Sequence, residues 1–148
     1  MAPFALTREH GFAAGVGILS ALHLLGLGIF VASARRKAAV PYPYVYAERA
    51  EAEEDPLKNI FNCTQRAHQN TLEGYPIFIV LFGIAAIDLP LYAAIAGLVW
   101  LAGRIVYAIS YSSGDPAKRN RGDFGNIALI ALLAMSLKAC ISLIIQSA

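Results

Sequence analysis

Polar residues suited to binding a small molecule interrupt an apolar stretch near the middle of the chain. Arg66, Asn70 and Glu73 are spaced i, i+4 and i+7, so a helix would place them on one face. Arginine can clamp a carboxylate, glutamate can hold an ammonium group, and an amide can fix orientation. The spacing therefore predicts a polar wall that fits a small anionic molecule carrying an amine.

The apolar stretch that follows, residues 75–87, is too short to cross a bilayer, because a spanning helix needs about 20 residues. A spanning helix here must begin upstream of Arg66 and carry the polar wall to membrane depth. Ionisable groups inside a membrane are costly, and by default they mark a functional site that faces the bundle interior.

A second polar face follows at Arg104, Tyr107 and Tyr111, spaced i, i+3 and i+7. Arg104 stands among apolar residues without an acid nearby in sequence. Structural roles are open for the others: Arg66 and Glu73 could form a pair that locks their helix, and the tyrosines could be aromatic residues of the membrane interface.

The composition is that of an integral membrane protein with one domain. Of its 148 residues, 57% are hydrophobic, against about 45–50% in ordinary soluble domains. Apolar periodicity and turn residues predict four spans at about 11–34, 58–87, 91–112 and 124–146. The net charge of +2 is too small to indicate a nucleic-acid partner. The two cysteines lack metal-ligand spacing, so no metal site is predicted and free thiols are favoured over a disulfide.

The basic residues predict the orientation of the spans. The loops after the first and third spans hold most of them, including Arg35, Arg36, Lys118, Arg119 and Arg121. The positive-inside rule places these loops in the cytosol and both termini across the membrane. The first span is too long for a cleaved signal peptide, so we expect it to be retained. Each basic cluster alone could be a stop-transfer signal or ordinary loop charge.

The segment from Phe61 to Pro76 resembles the second-helix signature of the MAPEG family, and the segments 103–107 and 114–122 resemble that family's third helix and following loop. The resemblance covers nearly the whole chain as a single domain, 1–148. It implies an all-α fold, a membrane four-helix bundle whose four-span protomers form a homotrimer. It also implies that glutathione, the co-substrate, is held between subunits near the cytosolic face, in the endoplasmic reticulum (microsomal) membrane.

The resemblance also implies roles for individual residues. Arg36 would lie near the second substrate, and Arg119 would activate the glutathione thiol if this loop carries one inserted residue. Without the insertion, Lys118 takes that place. The implied glutathione ligands are Arg35, Arg66, Asn70, Glu73, Arg104, Tyr107 and Tyr111.

Two positions depart from the pattern of a leukotriene-forming member of the family. His68 replaces a glutamine, and Gly74 replaces a tyrosine. Tyr75 follows one residue later, where its side chain is turned by about 100° around the helix. Its hydroxyl is therefore a doubtful substitute for the one that Gly74 lacks.

These observations favour a membrane-bound glutathione transferase or glutathione-dependent peroxidase. An arginine-stabilised thiolate would attack a lipophilic electrophile or a lipid hydroperoxide supplied by the bilayer, and leukotriene-type conjugation falls within this chemistry. The alternative is a non-catalytic, lipid-binding membrane scaffold of the same family. A proton-coupled transporter is disfavoured, because no relay of carboxylates crosses the predicted spans.

Overall fold

The computed structural model describes residues 5–146. Its elements are α1 (Arg8–Lys37), α2 (Arg49–Glu54), α3 (Pro56–Asp88), α4 (Pro90–Tyr111), a 3₁₀ helix (Pro116–Gly122) and α5 (Phe124–Gln146). Within the described residues the regular structure is helical, with no strands, which confirms the predicted all-α fold. The helices α1, α3, α4 and α5 are each long and apolar enough to cross a membrane.

Helices α1 and α3 extend one to three residues beyond the predicted spans at each end, and α4 and α5 match the predicted spans to within one residue. At the start of α3, the Asp55 carboxylate accepts a hydrogen bond from the Leu57 backbone nitrogen at 2.8 Å. Pro56 occupies the first turn, where its missing N–H needs no partner. At the end of α1, the basic run 35–37 lies in the last turn, where positive charge complements the helix dipole.

The largest buried apolar cluster lies in the half of the bundle away from the basic loops. Phe78 of α3 is fully buried and stacks on Trp100 of α4, with ring centroids 3.7 Å apart. A methyl group at Gly97 would lie 2.7 Å from the Phe82 ring and 2.8 Å from Val16. The absence of a side chain at Gly97 therefore lets α1, α3 and α4 pack closely.

The opposite end of the bundle, which we call the basic end, carries the connecting segments 38–55 and 112–123. Two asparagines of α3 hold these segments. Asn62 accepts from the Ala47 nitrogen at 2.8 Å and donates to its carbonyl at 3.0 Å. Asn59 donates to the carbonyl of Gly114 at 2.9 Å. One helix therefore fixes both segments.

Three glycines bring α4, the 3₁₀ helix and α5 into backbone contact. A methyl group at Gly103 would lie 2.6 Å from the Cα of Gly125, and one at Gly122 would lie 2.7 Å from the Tyr107 nitrogen. Gly125 in turn approaches the backbone of Trp100 and Gly103. These contacts place the 3₁₀ helix and the start of α5 directly against α4.

Candidate functional site

A polar cavity of about 460 Å³ opens at the basic end between α3, α4, the 3₁₀ helix and the start of α5. Its volume falls within the ~300–1,000 Å³ typical of small-molecule sites. Six of the nine residues predicted for the site line it. The lining residues are Arg66, Asn70, Arg104, Tyr107, Tyr111, Arg119, Asn120, Asp123 and Asn126.

A second cavity of about 320 Å³ adjoins the first on the side of the apolar core. The two share Asn70, Arg104 and Asn126. Glu73 lines the second cavity, together with core residues such as Trp100. The polar chamber therefore continues from the basic end towards the middle of the bundle.

Arg66 and Glu73 form an ion pair along α3. One terminal nitrogen of Arg66 (Nη1) donates to both carboxylate oxygens of Glu73, at 3.0 and 3.1 Å. Both side chains are partly exposed, at 41% and 55%. The expected common face of α3 is present, and these two charges on it neutralise each other.

Arg104 is positioned by neutral groups. Its Nη2 donates to Asn70 Oδ1 at 2.9 Å and to Thr71 Oγ1 at 2.7 Å. Its guanidinium carbon lies 4.1 Å from the centre of the Tyr107 ring. Within the described residues its buried Nε has no hydrogen-bond partner, and no acid pairs with the guanidinium. Its positive charge is therefore available to a bound anion.

The two candidates for thiol activation are placed differently. Arg119 is exposed on the 3₁₀ helix and lines the larger cavity. Lys118 is absent from the cavity lining, and its Nζ lies 3.6 Å from Asp115 Oδ2. The geometry of this chain therefore favours Arg119 as the cation that faces the cavity.

The two arginines at the end of α1 do not reach either chamber within this chain. Arg35 is buried and donates to the Tyr44 carbonyl at 2.6 Å. Its guanidinium carbon lies 4.5 Å from the centre of the Tyr42 ring and 4.7 Å from the centre of the Phe61 ring. Arg36 is exposed. In this chain Arg35 anchors the segment after α1.

Several polar residues near the site were missed by the sequence analysis. Asn120, Asp123 and Asn126 line the larger cavity, and the signal for the last two was a polar i, i+3 pair at the start of an otherwise apolar helix. Tyr46 lies beside α3 and its hydroxyl donates to Gln69. Burial raises the pKa of the Tyr46 hydroxyl, and the nearby Arg66 charge opposes that shift.

An apolar groove of about 510 Å³ lies between α1 and α3. His68, one of the two departures from the family pattern, lines this groove together with Tyr75 and leucines of both helices. Gly74, the other departure, lines the second cavity. The Tyr75 hydroxyl lies 3.0 Å from Ser20 Oγ of α1. Tyr75 does not line the larger polar cavity.

Four helices able to cross a membrane, with a polar chamber at one end of the bundle, define a multi-pass membrane protein. A model of the MAPEG family matches residues 13–141, which include most or all of every spanning helix, and the chain belongs to that family. The family includes glutathione transferases and peroxidases, and also non-catalytic members.

Proposed function

We propose that this protein is a membrane-bound glutathione transferase with glutathione peroxidase activity, similar to microsomal glutathione S-transferase 3. The observation that carries this proposal is the meeting of Arg66, Arg104 and Arg119 at one polar cavity. Glutathione has two carboxylates and a thiol, and each is bound or activated in its anionic form. Three guanidinium groups from α3, α4 and the 3₁₀ helix match that charge pattern.

In this proposal Arg66 and Arg104 face the carboxylates, and Glu73, which accepts two hydrogen bonds from Arg66, holds the amino group of glutathione. The Tyr107 and Tyr111 hydroxyls and the Asn70 amide fix the orientation of the peptide. Arg119 lies near the sulfur, where a cation lowers the pKa of the thiol and stabilises the thiolate.

The thiolate then reacts in one of two ways. Attack on an electrophilic carbon forms a thioether, as in a leukotriene-type conjugation. Attack on the terminal oxygen of a lipid hydroperoxide breaks the O–O bond and gives the alcohol and glutathione sulfenic acid. A second glutathione converts the sulfenic acid to glutathione disulfide and water, which balances the reduction.

The proposed assembly is a homotrimer in the endoplasmic reticulum membrane, with the basic end in the cytosol and both termini on the opposite side. Glutathione would then enter from the cytosol, and the lipophilic substrate would enter laterally from the bilayer. Arg36 is exposed and free to approach a neighbouring subunit's cavity. The role of Arg35 in binding glutathione stays a prediction, since in this chain its guanidinium holds the segment after α1.

A lipid-binding scaffold without catalytic activity is the second candidate. The apolar groove between α1 and α3 favours it, because the groove could hold an acyl chain without any thiol chemistry. The scaffold does not need the three arginines at the polar cavity, and for that reason we place the enzyme first.

The test is ultraviolet difference absorbance of glutathione thiolate bound to the purified, detergent-solubilised protein. We expect a thiolate signal with the wild type, its loss in Arg119→Ala, and its retention in the matched control Lys118→Ala. Binding without a thiolate signal in the wild type would refute thiol activation. An absence of glutathione binding would move the scaffold to first place.

A further inference from the structure

Tyr46, in the segment between α1 and α2, is tied to α3 at both of its ends. The backbone of the next residue, Ala47, is held by the Asn62 side chain through hydrogen bonds of 2.8 and 3.0 Å. The Tyr46 hydroxyl donates to Oε1 of Gln69. Its aromatic ring therefore bridges the distance between Asn62 and Gln69 along the surface of α3.

Arg66 lies between these two attachment points. One face of α3 carries four polar residues spaced i, i+4, i+7 and i+11, which fall within about 60° around the helix axis: Asn62, Arg66, Gln69 and Glu73. The first and third of them are separated by about 10 Å along the axis. A ring that bridges this distance on this face must pass beside the Arg66 side chain.

The polar ends of the two side chains also lie at the same height on α3. Arg66 donates to Glu73, seven residues further on, at 3.0 and 3.1 Å. Its side chain therefore runs along the helix towards the level of Gln69, where the Tyr46 hydroxyl is bound. The guanidinium and the phenol are neighbours, and the Arg66 charge is close enough to act on the Tyr46 hydroxyl.

Tyr46 and the polar cavity lie on opposite sides of Arg66. Asn70 lines the cavity and accepts from Arg104 at 2.9 Å. Gln69, on the other side of Arg66 around the helix, lines neither polar cavity, and nor does Tyr46. The Arg66 side chain is 41% exposed, so packing within the bundle does not fix it. The Tyr46 ring occupies the side towards which the guanidinium could turn away from the cavity.

We propose that Tyr46 is a positioning residue, which keeps the guanidinium of Arg66 turned towards the polar cavity. The hydrogen bond to Gln69 fixes the ring, and the ring blocks rotation of the guanidinium away from the cavity. Tyr46 itself makes no contact with the bound molecule in this role. The inference rests on the proposed function, in which Arg66 faces a carboxylate of glutathione.

A double-mutant cycle between Tyr46 and Arg66 tests the proposal. Glutathione is titrated calorimetrically, up to millimolar concentration, into the full-length protein in detergent. We expect Tyr46→Ala to weaken binding about tenfold, because a charge-assisted contact is lost from the ligand. In an Arg66→Gln background the same substitution should cause no further weakening. A role of Tyr46 in the fold alone would weaken binding in both backgrounds.

Three further variants locate the effect. Tyr46→Phe and Gln69→Leu each remove the same hydrogen bond, and each should weaken glutathione binding by a similar factor of about three. Tyr44→Ala is the matched control, because Tyr44 lies in the same segment with an exposed side chain. Its substitution leaves the backbone carbonyl that Arg35 binds, and glutathione affinity should not change.

The opposite results overturn the proposal. Wild-type affinity in Tyr46→Ala, an equal loss in both Arg66 backgrounds, or an equal loss in Tyr44→Ala would each exclude positioning of Arg66 by Tyr46. Failure of the wild type to bind glutathione refutes the proposed function itself, so the two failures are distinct. Should Tyr46→Ala not fold, Tyr46→Phe supports the same cycle. Should Arg66→Gln not bind, Arg66→Lys replaces it as the background.

Discussion

The guanidinium of Arg104 lies 4.1 Å from the centre of the Tyr107 ring, one turn further along α4. The same guanidinium donates to Asn70 and Thr71 of α3. A single side chain therefore joins two spanning helices and also presents positive charge to both polar cavities. We therefore expect stability and ligand binding to be coupled at this residue.

Arg104→Lys should lower both the stability of the protein and its affinity for glutathione. Lysine keeps the charge but lacks the planar fork that donates to two acceptors while stacking on a ring. We expect a loss of about 1–3 kcal/mol in stability and about tenfold weaker glutathione binding, measured by thermal unfolding and calorimetry in detergent. The control is Arg121→Lys, at an exposed arginine of the 3₁₀ helix that lines neither cavity. Unchanged unfolding and binding in Arg104→Lys would show that the fork geometry is not needed.

The close approach of Gly103 to Gly125 leads to a second prediction, about the stability of a Gly103→Ala variant. In Gly103→Ala the new methyl group would lie 2.6 Å from the Gly125 Cα, so α5 and the 3₁₀ helix must move away. Overpacking of this kind costs about 1–3 kcal/mol, and the displaced Arg119 should weaken the thiolate signal. Gly15→Ala is the matched control, because a methyl group there meets nothing within 4 Å. Similar melting temperatures for the two variants would contradict the prediction.

Asn62 should control the mobility of the segment between α1 and α2. Asn62→Leu removes both hydrogen bonds to Ala47, whose backbone is then left without partners. We expect limited proteolysis within residues 38–48 to accelerate at least about fivefold, equivalent to about 1 kcal/mol in the opening equilibrium. Asn59→Leu should instead loosen the turn at Gly114. Cleavage of 38–48 at the wild-type rate in Asn62→Leu would show that Arg35 holds the segment without help.

The ion pair between Glu51 of α2 and Lys58 of α3 leads to a prediction about pH dependence. The hydrogen bond from Lys58 lowers the pKa of the Glu51 carboxyl below its ordinary value. When the pKa of a carboxyl is lower in the folded than in the unfolded state, the carboxyl stabilises the fold. This contribution is complete above the unfolded-state pKa and is lost as the pH falls through the folded-state pKa. Carboxyl NMR should therefore show a Glu51 midpoint that rises in Lys58→Met. A midpoint that stays the same would exclude Lys58 as the cause.

Helical periodicity was enough to predict which residues of one helix face the same way. Arg104, Tyr107 and Tyr111 line one cavity because their spacing of three and four residues is a local property of α4. The same logic placed Arg66 and Asn70 together on α3. Their roles in binding glutathione are predictions that the experiments above address.

Contacts between distant segments could not be predicted in this way. Asp123 and Asn126 line the cavity only because backbone contacts at three glycines hold the start of α5 against α4. Arg35 was expected at the glutathione site, yet the fold of residues 42–45 supplies carbonyls that hold its guanidinium elsewhere in this chain. Neither arrangement has a signature in local spacing.

The three glycines also affect how inherited or engineered variants of this protein should be interpreted. Gly103, Gly122 and Gly125 carry no functional group, yet the positions of Arg119 and Asp123 depend on them. In an assay of the proposed activity, a variant at any of the three would resemble the loss of a site residue, although every reactive side chain would still be present. Ranking variants by the chemistry of the altered residue would therefore overlook the positions on which this site's assembly depends.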